Sequence, residues 1–218
     1  MDITPESVEA LLNSSDLGDR LKAMNQTRML EPAAAFKLAR QAVNDSNPRI
    51  RYSAVSQLAT LGQHNLALAL TILRGRLKDS EPDVQAAAAD SIAALQLTEA
   101  FEDLQTLYIS SPEWLVKFSI IAALGTLGDE RGFALLEDAL QSPNELTQMA
   151  AIGSLGELGD ERAIPLLIPY AANPDWQVRY RVAQALAHFK APEARPTLEK
   201  LAEDEVEQVA QEAKSGLN

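Results

Sequence analysis

The chain has 218 residues, with 31 acidic against 19 basic for a formal charge of −12; 46% of residues are hydrophobic and 5% aromatic. A surface this acidic has no general attraction for nucleic acid or for an anionic membrane, and its ordinary use is solubility. The absence of cysteine excludes disulfides, thiolate catalysis and thiol redox chemistry within the chain. The two histidines, His64 and His188, fall in well-separated segments, so no metal site is expected. The start, Met1-Asp2-Ile3-Thr4-Pro5-Glu6, lacks the cationic and apolar regions of a signal peptide, and no window is apolar enough to span a bilayer. The expectation is a soluble, cytoplasmic protein without membrane insertion.

In chain order, the apolar periodicity predicts helices over 5–13 and 19–30, then six helical pairs: 33–44 with 48–61, 66–79 with 82–95, 99–109 with 112–127, 131–141 with 143–158, 162–172 with 174–189, and 193–202 with 204–215. The strongest signal is a segment that returns five times, beginning at Ile50, Val84, Val116, Thr147 and Val178, with starts 34, 32, 31 and 31 residues apart. Apolar residues follow four, five, eight and eleven places later, as in Val182, Ala183, Leu186 and Phe189 after Val178. That spacing is one stripe of a 3.6-residue helix and is wrong for an alternating strand.

The punctuation agrees. Pro48, Pro82, Pro112, Pro143 and Pro174 stand shortly before the second helix of successive pairs, where a missing amide hydrogen costs nothing. Asn47, Ser111, Ser142 and Asn173 precede four of them as expected caps, and Gly62, Gly128 and Gly159 are expected to stop helices in left-handed space. Helix pairs of this kind bury their apolar faces only by stacking on neighbours. The fold predicted is all-α, a HEAT-like α–α superhelix: a short right-handed solenoid forming one domain, 1–218, with 1–31 as N-terminal cap and 191–218 as capping repeat.

No residue pattern marks a catalytic centre. Gly125, Gly128, Gly153, Gly156 and Gly159 lack the strand–loop–lysine context of a phosphate loop; Gly153 and Gly156 are expected to let second helices approach closely. Arg51, Lys117 and Arg179 recur one place after the first stripe residue, with Arg20 in the same register near the start. They read either as a ladder of bonds to loop carboxylates and carbonyls or as ligand contacts. Tyr52, Phe118 and Tyr180 share another register, and Trp114 and Trp176 each stand two residues past a repeat proline. Arg181 and His188, seven apart, face one side of a helix. These side chains are either interface anchors or cover for the seam between repeats.

The strings Ala151-Ile152-Gly153-Ser154-Leu155-Gly156-Glu157-Leu158-Gly159-Asp160, Ala163-Ile164-Pro165-Leu166-Leu167 and Trp176-Gln177-Val178-Arg179-Tyr180-Arg181-Val182-Ala183, taken in order with the segment from Asp2 to Val8, resemble the cyanobacterial phycobilisome-associated HEAT proteins. That group includes the NblB-type phycobilisome degradation proteins and the phycocyanobilin lyase subunits CpcE and CpcF. The resemblance implies a binding protein, without catalytic residues of its own, that engages phycocyanin or allophycocyanin subunits at the phycobilisome on the cytoplasmic face of the thylakoid and assists degradation or chromophore removal. It leaves open a bilin lyase, with a second HEAT-repeat subunit as partner, and a general adaptor. No tightly bound cofactor is implied. Transient phycocyanobilin, with its two propionates and conjugated body, would suit Arg179 or Arg181 beside Tyr180 and Trp176. The contact residues expected on this reading are Tyr52, Phe118, Trp176, Arg179, Tyr180, Arg181 and His188.

Overall fold

The computed structural model describes residues 2–217. Every regular element among them is helical: α1 Pro5–Leu12, α2 Leu17–Gln26, α3 Pro32–Ala42, α4 Pro48–Leu61, α5 Leu66–Arg76, α6 Pro82–Ala94, α7 Phe101–Ser110, α8 Trp114–Leu127, α9 Phe133–Ala139, α10 Glu145–Leu158, α11 Ala163–Leu167, α12 Trp176–Ala187, α13 Arg195–Leu201 and α14 Glu207–Leu217, with short 3-10 turns between several of them. The chain divides into two compact units, Met1–Ile120 and Ile121–Asn218, with the boundary inside α8. In the first, α4 packs against both α2 and α6; in the second, α12 packs against α10 and α14.

The sequence stripe is the core. Ile50, Ala54, Val55 and Leu58 on α4 have no exposed surface, nor have Val84, Ala88, Ala89 and Ile92 on α6. On α12, Val182, Ala183 and Leu186 are equally sealed. Each large aliphatic side chain so buried stabilises by about 1.5–3 kcal/mol, and the alanines let neighbouring second helices lie close.

Charged residues lock these stacks in a repeated form. Arg51 donates from Nε and Nη2 to Asp79 at 2.9 and 2.7 Å, and from Nη1 to the carbonyls of Asp45 and Ser46. Arg179 does the same with Asp204 at 2.7 and 2.9 Å and with the carbonyls of Asn173 and Pro174. Arg20 donates to the carbonyls of Ser14 and Ser15, and its Nε lies 3.0 Å from Asp45. Each aspartate also accepts an amide hydrogen two residues on, from Asn47, Glu81 or Val206. One carboxylate therefore shapes its own turn while clamping the preceding second helix. Lys117, in the same register, lies over the Tyr108 ring at 5.3 Å instead.

The turns differ from expectation in two ways. Only Pro48 and Pro82 open their helices; α8, α10 and α12 begin two residues after Pro112, Pro143 and Pro174. Accordingly Asn47 caps α4, but Ser111, Ser142 and Asn173 accept from amides inside the turn, and the caps of α10 and α12 are Asn144 and Asp175. Secondly, Gly128 and Gly159 are left-handed, at φ 66° and 71°, whereas Gly62 is right-handed, at φ −61°. Gly62 is small for another reason: a Cβ there would stand 2.5 Å from Leu95 Cδ1.

The residue that follows Leu95 is Gln96, the one non-glycine residue with positive φ among the described residues, at 56°. A side chain in that region costs about 1–2 kcal/mol. Its Nε2 bond to the Ala93 carbonyl offsets part of this. Gln96→Gly is therefore expected to stabilise by about 0.5 kcal/mol, and Gly159→Ala to destabilise by about 1 kcal/mol, in urea unfolding.

Candidate functional site

In the second unit a trough runs along α12, walled by α10 and α14. Met149, Trp176, Tyr180, Arg181, Gln211 and Glu212 line a cavity of about 560 Å3. Gly153, Glu157, Arg181, Gln184, His188 and Glu212 line the next, of about 360 Å3. The two share Arg181 and Glu212.

The helix period explains why these side chains converge. On α12 the buried stripe of Val178, Val182 and Leu186 leaves Trp176, Tyr180, Arg181 and Gln184 towards the opening. On α10, Gly153 supplies bare backbone, and the Arg181 side chain lies across it, its Cδ 3.3 Å from where a Cβ would be. On α14, Val209 and Ala213 are buried while Gln208, Gln211, Glu212 and Ser215 face the trough.

A hydrogen-bonded chain holds the middle of the trough. Arg181 Nη1 donates to Gln184 Oε1 at 3.2 Å, and Gln184 Nε2 donates to the Tyr180 hydroxyl oxygen at 3.2 Å. The Glu212 carboxylate holds the Tyr180 phenol above its usual range, first by its charge and then by accepting its hydrogen. Trp176, 41% exposed at the start of α12, remains uncovered beside this network. An exposed tryptophan next to a fixed tyrosine and an arginine is the kind of surface that anchors a partner. Nothing in the trough pairs a nucleophile with a base.

Four of the seven residues picked out in the sequence, Trp176, Tyr180, Arg181 and His188, meet in this trough. Arg179 does not: at 9% exposure, it is wholly engaged by Asp204 and the two carbonyls. Its fixed neighbour Asp204 is held below the usual carboxylate range by that guanidinium. Tyr52 and Phe118 belong to the first unit. Tyr52, 48% exposed, lines a separate cavity of about 450 Å3 with Pro48, Arg49, Glu81 and Asp83, and Phe118 is half-buried on α8.

Sequence reasoning missed Glu212 and Gln211, which occupy in α14 the register of Arg181 and Tyr180. The signal was there: Val209 lies 31 residues after Val178 and continues the stripe. It also missed Asp90 on α6, the one described carboxyl pushed above its ordinary range, by burial, against a bond from the Ser119 hydroxyl. Asp129 and Asp160 tie their turns by accepting from the amides of Arg131 and Arg162. No described cluster offers three metal-ligating side chains, and no described helix is long and apolar enough to cross a membrane.

Comparison with known proteins places this geometry. Residues 70–151 and 134–218 match the HEAT repeats. The complex of CpcE and CpcF of phycocyanin lyase from Nostoc sp. PCC7120 is similar in structure, with a TM-score of 0.65 at 24% identity over 100% of this chain and 94% of that chain. The Escherichia coli protein YibA superposes with a TM-score of 0.66 at 15% identity, over 98% of this chain and 81% of that one. At these identities the likeness is one of fold. No curated protein matches the chain in sequence.

Proposed function

The chain belongs to the HEAT-repeat family, and from that premise we propose that it is a non-catalytic binding protein that engages phycobiliprotein subunits, as an NblB-type protein assisting phycobilisome degradation or chromophore removal. The observation that carries the reading is the trough itself, in which Trp176 and Tyr180 stand with Arg181 over a glycine floor and no nucleophile–base pair accompanies them. Fold similarity to the phycocyanin lyase complex supports the choice of client. On this reading the protein works at the phycobilisome, on the cytoplasmic face of the thylakoid, and meets phycocyanobilin only transiently, as part of its client.

In mechanism, the client's surface would bury Trp176 and the ring of Tyr180, while Arg181 pairs with a client carboxylate or a bilin propionate. The bond from Gln184 Nε2 to the Tyr180 hydroxyl oxygen holds the ring beforehand, so little side-chain entropy is lost on docking. Tyr52, at the mouth of its own cavity in the first unit, offers a further contact of the same chemistry.

The fold shared with the lyase complex also favours a second reading, a bilin lyase subunit working with another HEAT-repeat chain. A visible-absorption titration with free phycocyanobilin, holo-phycocyanin and apo-phycocyanin, followed by size-exclusion chromatography, separates the two. The binding reading expects co-migration with phycocyanin and an unaltered chromophore. Release of bilin from the client, or its transfer to an apo-client cysteine, would establish the lyase reading instead. The variant Tyr180→Ala/Arg181→Ala is expected to stay folded and to weaken co-migration at least tenfold, and full retention of binding would place the client elsewhere.

A further inference from the structure

A third cavity, of about 710 Å3, opens in the second unit beyond the end of α12. Phe189, Pro192, Leu198 and Leu217 form its apolar walls, and Phe189 and Leu198 are only 6% and 2% exposed, so that floor is fixed by the core. Lys190 and Arg195 line the same cavity, and both are exposed. Arg195 uses Nε on Glu199 at 3.0 Å, and both Nη groups have no partner among the described residues. Among the described residues Lys190 has no hydrogen-bond or ion-pair partner. Most other arginines near the turns are bound to an aspartate, as Arg20, Arg51, Arg76, Arg131, Arg162 and Arg179 are. The one carboxylate in the cavity wall is Glu212, which this cavity shares with the trough.

An exposed lysine and the unused Nη donors of an arginine beside an apolar floor, in a chain of charge −12, are an unusual combination. We propose that this cavity binds an anionic amphiphile, a molecule with an apolar body and a terminal carboxylate or sulfonate. The body covers Phe189, Pro192 and Leu198, and the anionic group is received by the free Nη donors of Arg195 and by Lys190 Nζ. Burial supplies most of the affinity and is indifferent to charge, whereas the two cations select the anion over a neutral or cationic molecule of the same shape. The site is independent of the client reading, because it uses neither Trp176 nor the Tyr180 ring.

The test is a fluorescence titration of the full chain with the anionic dye 1-anilinonaphthalene-8-sulfonate, and with uncharged N-phenyl-1-naphthylamine for comparison. The expected result is saturable binding of the anionic dye, displaced by dodecanoate below its micellar range and not by dodecyltrimethylammonium. Lys190→Gln/Arg195→Gln, two exposed substitutions whose fold is checked by circular dichroism, should weaken the anionic dye about tenfold and leave the neutral dye unchanged. Trp176→Ala, which removes the trough's exposed anchor and alters no residue lining this cavity, should leave both dyes unaffected. Absence of saturable binding, equal affinity in the charge variant, equal loss for both dyes, or loss in the trough variant would each overturn the proposal.

Discussion

Asp79→Ala is expected to lower the unfolding free energy by about 3 kcal/mol, more than any surface substitution in the protein. The Asp79 side chain is 3% exposed and receives Nε and Nη2 of Arg51, Nη1 of Arg76 and the amide of Glu81. Removing it strands a guanidinium that is itself only 11% exposed and unties the turn before α6. Asp79→Asn keeps the shape and loses the charge, so its cost should be smaller. The pH dependence has a definite sign. Burial pushes the Asp79 carboxyl up, but the bond from Arg51, the Glu81 amide and the nearby guanidiniums together hold it below its ordinary value. Asp204 is held down in the same way, chiefly by Arg179. A carboxylate lowered by folding contributes its full stability above the unfolded value, about pH 4, and loses it as pH falls through the lower native value. Chemical denaturation between neutrality and acid should show a stability fall beginning below about pH 4–5, and the fall should be shallower in Asp79→Asn.

One substitution should act with opposite signs at two glycines. In α10, a Cβ on Gly156 would stand 2.6 Å from Ala185 Cα and 3.0 Å from its carbonyl oxygen, both backbone atoms that no rotamer change can move. Alanine there must push α10 from α12, and overpacking of this kind costs about 1–3 kcal/mol even after the helix-propensity gain of about 1 kcal/mol. We expect Gly156→Ala to destabilise by about 2 kcal/mol and to disturb the trough that these helices flank. Gly75, near the end of α5, has open space around its would-be Cβ. Gly75→Ala should stabilise by about 0.5–1 kcal/mol. Thermal unfolding of the two variants beside the parent decides both signs at once.

The helices were legible because one stripe does the same work in every copy. Ile50, Val84, Val116, Thr147 and Val178 recur at near-constant spacing, and all five are buried. The turns were less so. Proline before a helix reads alike whether it occupies the first helical position, as Pro48 does, or the turn ahead of it, as Pro174 does, and only the neighbouring cap distinguishes them. Gly62 shows the same limit: the sequence marks a small residue but not whether φ or packing requires it. Among the arginines, recurrence showed that Arg51 and Arg179 share a role. Their aspartates lie 28 and 25 residues further on, too irregularly spaced to be paired by inspection.

The trough was half legible. Trp176, Tyr180 and Arg181 announced themselves by type on one helix, while Gln211 and Glu212 looked like ordinary polar surface in a terminal repeat. Their importance comes from stacking, since α14 supplies the wall that turns the α12 face into a concave site. Arg179 differed from Arg181 in sequence only by its recurring register, and the fold then assigns Arg181 to the trough and Arg179 to Asp204.

The most direct measurement is calorimetric titration of holo-phycocyanin into the parent protein and into Trp176→Ala/Tyr180→Ala, with visible spectra recorded on the same mixtures. The account predicts saturable binding by the parent, at least about thirtyfold weaker binding by the folded variant, and an unchanged chromophore spectrum throughout. Equal affinity in parent and variant, or no binding by the parent at all, would contradict it.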